Sequence, residues 1–560
     1  MTRIHPARGS SRAAVLAVIL VLAACGEQGS ATPTQDSTAT DADPGATAPT
    51  GGGTLSIGWE ADIQSLDPAI AYDYVSIPAT HLLFESLVGY DQGTTLVPVL
   101  AEEMPTVSDD GLTYTFTLRS GVNFVNPDGT VLREMTADDV VFSLNRVLNP
   151  NLTPTPSPVS TSFFAQIEGA QAVLDGEAEE ATGLVALDER TVEITIVAPN
   201  RAFLNVLAMT FGSIVPEGEA GTDTAAFSEA PIGTGPFYLE SYTSGEGAHF
   251  VRNPHYWGTM PAIEAIEYLV GVDTVTQTQR AQANELDVMG DSVPTGSLPE
   301  VRDNPEYADR LIEESIVAVS YVSIDATIED PPLNDVRVRQ ALNHAIDKEN
   351  LVRVIGGRGE PAHCIFPPAL DAYDPDCRPY EYDPDRAREL LAEAGVPDGF
   401  STQYLTDTTE DSRALAQAIQ QDLAAVGIEI EIVTQEFDVL LETILEPQNA
   451  PLLGIAWFQD YPDASDFYDP ILSCAAVGAG FNTSWACNEE ADAIAAEALS
   501  MQDTDQRIEA YREVQRLVME EALWVPTYFQ VVTHLTSERV EGEYFHPVWS
   551  WNLADFSLSE

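Results

Sequence analysis

The sequence predicts a mixed α/β protein built as more than one lobe. The chain has 560 residues, about four times the usual single-domain length. Hydrophobic residues make up 44% of it, enough to fill sizeable cores. Stretches that alternate apolar and polar residues take turns with stretches whose apolar residues recur every three or four positions, so strands alternate with helices.

The first elements are an address and a tether. Arg3, Arg8 and Arg12 precede an apolar run from Ala13 to Ala24 that ends Leu22-Ala23-Ala24-Cys25. The run is far shorter than the roughly twenty residues a membrane-spanning helix needs. A positive start, a short apolar run and small residues before a cut site read as a secretory signal over 1–24. The Leu-Ala-Ala-Cys ending resembles the bacterial lipobox, in which the cysteine is lipidated and becomes the first mature residue. Cys25 is then the lipid anchor; an ordinary signal peptide with a chance cysteine is the alternative. Residues 25–53 are mostly Gly, Ser, Ala, Thr, Pro and Asp with little to bury, so they read as a flexible tether. No later run of about twenty apolar residues follows, so the body is not expected to span a bilayer.

Within the body, Leu112, Tyr114, Phe116 and Leu118 alternate with polar residues, as do Val192, Ile194 and Ile196, and Ile428, Ile430 and Ile432. Each set predicts a half-buried strand. Thr136 with Asp139 three positions on forms a capping signal before the stripe Val140, Val141, Leu144, Val147 and Leu148. Asp335 to Val354 repeats that logic as one helix. Asp383-Pro384 is a cap followed by proline at the first helical position, and Gly395 ends that helix. Glu489 to Met501 and Gln506 to Met519 read as two more.

The charge excludes some partners. There are 89 acidic and 25 basic residues, a formal charge of −64, and Lys348 is the single lysine. Nucleic acid and anionic membrane surfaces are polyanions, so neither is an expected partner. Carboxylates so dense must repel one another, and salt screens that repulsion. The melting temperature should therefore rise between dilute buffer and molar salt; a flat or falling curve would refute this.

Beside Cys25 the cysteines are Cys364, Cys377, Cys474 and Cys487. In an exported protein the simplest of the three pairings is Cys364–Cys377 with Cys474–Cys487. A metal site is the sharper alternative, with His363 beside Cys364, but the spacing fits no usual zinc pattern, and no metal or other cofactor is expected.

No catalytic constellation stands out: there is no G-x-S-x-G, no H-E-x-x-H and no phosphate-cradling glycine loop. Gly356-Gly357-Arg358-Gly359 follows a helical stretch and reads as a turn. The chain is not expected to be an enzyme; a secreted hydrolase is the less favoured alternative. One segment differs. From Gly454 to Pro470, Trp457, Phe458, Tyr461 and Phe467 interleave with Asp460, Asp463 and Asp466. An aromatic wall with one desolvated carboxylate suits an amine or organic cation, because the ring faces are negative and the carboxylate makes a charge-assisted hydrogen bond. An aromatic core strand ending in an acidic loop would look the same.

Several stretches then recur in a familiar order. They are Ser65-Leu66-Asp67-Pro68, Leu83 to Leu87, Pro98 to Glu103, Leu112 to Val122, Thr136 to Ser143 and Gly233 to Phe237. Arg252 to Trp257, Asp335 to Asp347, Tyr382 to Leu391, Trp457 to Phe467 and Cys487-Asn488 complete it. In this the chain resembles the family 5 extracellular solute-binding proteins, the peptide/nickel group serving bacterial ABC importers, over nearly all of Gly53 to the C-terminus. The resemblance implies a two-lobed periplasmic-binding-protein-like fold (class II) with an additional domain inserted in the first lobe. By motif order, lobe I is 54–90, 230–315 and 525–560, the inserted domain is 91–229, and lobe II is 316–524. Hinge strands are expected near Ile316–Ile324 and Trp524–Gln530. The resemblance also implies that Asp460 holds a peptide's α-ammonium, that Trp457 and Tyr461 line the same wall, and that Asp62-Ile63 makes strand-like backbone contact with the ligand. Arg353, Arg358 and Arg378 are candidates for a ligand carboxylate only by their place in lobe II. The implied protein is an exported, lipid-anchored monomer at the outer face of the cytoplasmic membrane. Its partners are a small solute, such as a peptide, and a membrane permease. A nickel chelate, haem, opine or oligosaccharide would be alternative ligands on the same fold.

Overall fold

The computed structural model describes residues 52–478 and 481–559. The predicted signal, Cys25 and all of the tether before residue 52 lie outside them. A five-stranded sheet forms the first lobe. Its strand Thr54–Gly58 runs parallel to Ala265–Leu269 on one side and Val288–Met289 on the other. The hairpin Phe237–Thr243 with Gly247–Arg252 extends the sheet antiparallel. Leu55, Ile57, Phe237, Phe250 and Ile266 alternate into one core with Trp551 and Phe556 from the C-terminal segment.

The second lobe is a six-stranded sheet in the order Gly359–Pro361, Trp524–Leu535, Leu311–Ile324, Leu452–Phe458, Phe400–Thr406, Ile428–Thr434. Leu342, Leu390, Leu391 and Ile419 pack from three helices with Val322, Ile324 and Ile428. Tyr511, Val514 and Val518 of the helix Thr504–Glu521 build a separate core with Tyr321 and Trp524. The expected helix over Asp335–Val354 is two helices, Val336–Ala345 and Lys348–Val354. Ile346 is extended, and the Asp347 side chain accepts the N–H of Asn350 to start the second. A local cap thus wins over a continuous apolar stripe. Gly356 and Gly357 turn the chain with positive φ, which glycine adopts without strain.

A four-stranded antiparallel sheet, Thr106–Val107, Thr113–Thr117, Thr191–Thr195 and Leu184–Asp188, forms a third body backed by the helix Ala137–Leu148. Asp139 accepts the backbone N–H of Thr136 at 2.8 Å, as the capping signal requires. Leu87, Val88 and Tyr90, expected with the first lobe, pack in this core. The cysteines close as Cys364–Cys377 and Cys474–Cys487.

Two long antiparallel strands join the lobes. Leu311–Ile324 pairs with Trp524–Leu535 from Leu311 opposite Leu535, in a first-lobe core, to Ser323 opposite Trp524, in the second lobe. Both run further into the first lobe than the motif order suggests, because Leu311 to Ser315 keep a regular ladder with Val531 to Leu535. Between them the register slips: Ile316, Val317 and Ala318 face Gln530 alone. That irregularity lies where the lobes meet, and Ile316, Val317 and Gln530 line a cavity there.

Candidate ligand-binding site

The cavity has a volume of about 450 Å³, a normal size for a small-molecule site. Its second-lobe wall comes from the strand Leu452–Phe458, which pairs with Leu311–Ile324 so that Trp457 lies opposite Val319. The chain then leaves the sheet. The backbone N–H of Gln459 donates to the carbonyl of Val317 at 3.0 Å. Its side-chain amide donates to the carbonyl of Pro547 at 2.6 Å. These two bonds aim the next residue, Asp460, into the cavity.

Asp460 is one of four aspartates that one short turn brings together. Asp463 caps the turn Ala464–Phe467 by accepting the N–H of Ser465. It also takes a two-pronged bond from Arg507 at 2.8 and 2.7 Å. Burial alone would raise its pKa, but Arg507 holds it below the usual range. Asp466 accepts the backbone N–H of Asp460 at 2.9 Å. Burial first, then the charge of Asp460, pushes Asp466 well up. Burial also raises Asp469, to about 7. Asp460 receives the hydroxyl of Tyr72, and among the described residues no lysine or arginine pairs with it. Burial lifts its carboxyl to about 6, while the Tyr72 hydrogen bond pulls the other way. It retains some accessible surface because it faces the cavity, with protein around it on the other sides.

The opposite wall comes from the first lobe. Tyr72, Asp73 and Tyr74 precede the helix Ser76–Leu83, whose N-terminal amides of Val75 and Ser76 donate to Asp73 Oδ1. Tyr74 packs edge-on against Trp59, and Tyr72 against Phe211. Asp291 accepts from the Glu60 N–H and the Gln277 amide, both at 2.7 Å. Trp549 stacks on His546 at the C-terminal edge of the wall.

Of the residues expected from sequence, Trp457 and Asp460 line the cavity. Tyr461 is buried behind the wall, its ring 5.8 Å from that of Phe163 in the inserted domain. Asp62 and Ile63 lie away from the cavity. Asp62 Oδ2 accepts from the Ser244 hydroxyl and the Gly245 N–H in a hairpin turn. Ile63 is a core residue whose carbonyl accepts from the Tyr242 hydroxyl. Arg353, Arg358 and Arg378 are likewise absent from the wall; Arg358 is tied to Asp411 and Thr295. The sequence reading missed Asp73, Asp291, His534 and Trp549. Tyr72-Asp73-Tyr74 carries the same signal as Trp457–Asp460, a carboxylate between aromatic rings, and could have been found by it.

The sequence profile described as bacterial extracellular solute-binding proteins, family 5 Middle, matches residues 95–479. Di/tripeptide-binding protein 2 of Pseudomonas aeruginosa is 31% identical over 90% of this chain and 94% of its own length. The dipeptide-binding protein of Escherichia coli is 31% identical over 88% of this chain and 92% of its own. The structure of a dipeptide-binding protein from a Pseudoalteromonas species in complex with Met-Leu superposes with a TM-score of 0.74 at 26% identity, covering 90% of this chain and 100% of the other. Fold, motifs and matches agree: the chain belongs to the family 5 extracellular solute-binding proteins of bacterial ABC importers, a family of transport binding proteins and not of enzymes.

Proposed function

We propose that this chain is a lipid-anchored receptor that captures a peptide or similar amine-bearing solute between its lobes and delivers it to a membrane permease. The observation that carries the reading is Asp460: a carboxylate enclosed by protein, facing an aromatic cavity, with no cationic side chain beside it among the described residues. An enclosed charge without a partner is costly, and a ligand ammonium would relieve it. The names of the relatives, di/tripeptide- and dipeptide-binding proteins, support a peptide-like ligand. Hinge closure about the two long strands would enclose it. The Leu22-Ala23-Ala24-Cys25 ending supports Cys25 as the lipidated residue. Among the described residues no helix is long and apolar enough to cross a membrane.

Mass spectrometry of small molecules released when the purified full chain is denatured tests the ligand class. An amine-bearing compound of about dipeptide size is the expected result. Recovery of haem or nickel, visible also by absorption and metal analysis, or of a neutral oligosaccharide, would overturn it.

A further inference from the structure

We infer that the cavity selects organic cations that lack a free carboxylate, namely amines, amino-acid amides and amidated short peptides, over zwitterionic peptides. The inference rests on the reading of this cavity as the solute site and of Asp460 as its ammonium anchor. The charged side chains on the walls are acidic. Asp73, Asp291 and Asp460 all line the cavity, and among its described lining residues none is a lysine or arginine. A ligand carboxylate there would meet three carboxyl groups and no counter-charge.

The unpartnered atoms have the same sense. Asp73 is 6% exposed, and while its Oδ1 caps a helix, its Oδ2 has no partner among the described residues. Gln459 spends its amide nitrogen on the carbonyl of Pro547, which leaves Oε1 buried without a donor. His534 is 2% exposed, and its Nδ1 lies 3.2 and 3.1 Å from the carbonyl oxygens of Met289 and Asp291. Those carbonyls can only accept, so the proton sits on Nδ1 and Nε2 keeps a lone pair that no described residue satisfies. Burial lowers the pKa of this ring to about 4, so it is neutral at ordinary pH and cannot serve as an anion's counter-charge. The donors on the wall are all neutral: the indole N–H groups of Trp59 and Trp549 and the hydroxyls of Tyr321 and Ser550. Acceptors left unsatisfied are costly, and a ligand rich in N–H groups suits such a wall better than one that brings a carboxylate. The half-buried rings of Trp457 and Phe481 add aromatic surface of the kind that attracts cations.

Titration calorimetry on the exhaustively dialysed full chain tests this with three probes of one size: leucyl-phenylalanine, its C-terminal amide, and the N-acetylated amide. The amide is expected to bind at least tenfold tighter than the free dipeptide, and the N-acetylated amide more weakly still. If the free dipeptide binds as tightly as its amide, the carboxylate-free class is overturned while the amine-anchor reading stands. If the N-acetylated amide binds as tightly as the amide, both are overturned. Absence of binding by all three overturns the inference.

Discussion

Asp460→Asn is expected to weaken binding of a cationic solute roughly a hundredfold, within the range for truncating one partner of a buried charge pair. The same change should leave the ligand-free protein as stable as wild type or more stable. The two effects have one cause. In the free protein burial raises the Asp460 carboxyl from its ordinary value to about 6, so the charged form is disfavoured by the fold. A carboxyl whose folded pKa is raised lends stability below its unfolded pKa, and that contribution is lost as pH rises through the folded one. The window here is pH 4 to 6, and the shift corresponds to at most about 3 kcal/mol. Asparagine keeps an acceptor for the Tyr72 hydroxyl and removes the charge. Affinity of the wild type should fall as pH drops through the range in which Asp460, coupled to Asp466, takes up a proton, because the carboxyl must be charged before an ammonium can dock. The variant should show a weaker dependence, left to Asp466, which loses the charge of Asp460 that raises it. Thermal melts with and without ligand, from pH 4.5 to 8, read both effects. A variant that keeps the full wild-type ligand shift would remove Asp460 from the site.

Part of this site was legible in the sequence, for a physical reason. Trp457, near the end of its strand, and Asp460, just beyond it, sit three residues apart, so their pairing is local and visible in the spacing. The other wall is not. Asp73, Asp291, His534 and Trp549 come from distant segments and converge only because the strands Leu311–Ile324 and Trp524–Leu535 carry the chain between lobes. Asp62 and Ile63 fall between Trp59 and Tyr72–Tyr74, which do reach the cavity. Their backbone and side chains are already committed to the hairpin at Ser244–Gly245 and to Tyr242. Tyr461 shows the limit of a local reading: beside Asp460 in sequence, it turns away to pack on Phe163. The strands over 113–117, 191–195 and 428–434 were readable because each buries one face, which imposes strict alternation. The break at Ile346 was not, because the apolar stripe continues across it and only the Asp347 cap marks it.

Arg146→Met is expected to destabilise the fold by about 3–5 kcal/mol, the cost of leaving a buried carboxylate unpaired. Asp67, in the Ser65–Pro68 motif, is 0% exposed, and the Arg146 side chain is 4% exposed. Arg146 Nη1 donates to Asp67 Oδ1 at 2.8 Å, and Nη2 donates to Oδ2. Its Nε donates to the carbonyl of Gly221 at 2.9 Å. The Ala69 N–H supplies a further donor to Asp67. The pair ties a first-lobe loop to the last turn of the helix Ala137–Leu148 in the inserted domain. Removing the guanidinium strands the carboxylate in the interior, and water cannot follow it there. A surface ion pair has no such consequence. Arg516 bridges Glu513 and Glu520 on an exposed helix face, with side chains 42–63% exposed, and such contacts are worth about 0–1 kcal/mol. Arg516→Ala should therefore melt close to wild type, whereas Arg146→Met should melt several degrees lower. Molar salt should not restore Arg146→Met, because screening does not reach an enclosed charge. The double variant Asp67→Leu/Arg146→Met should recover much of the loss, since apolar groups of similar volume often replace a buried ion pair without penalty. An Arg146→Met protein as stable as wild type, or a double variant worse than the single, would show that the pair is not what holds the inserted domain to the first lobe.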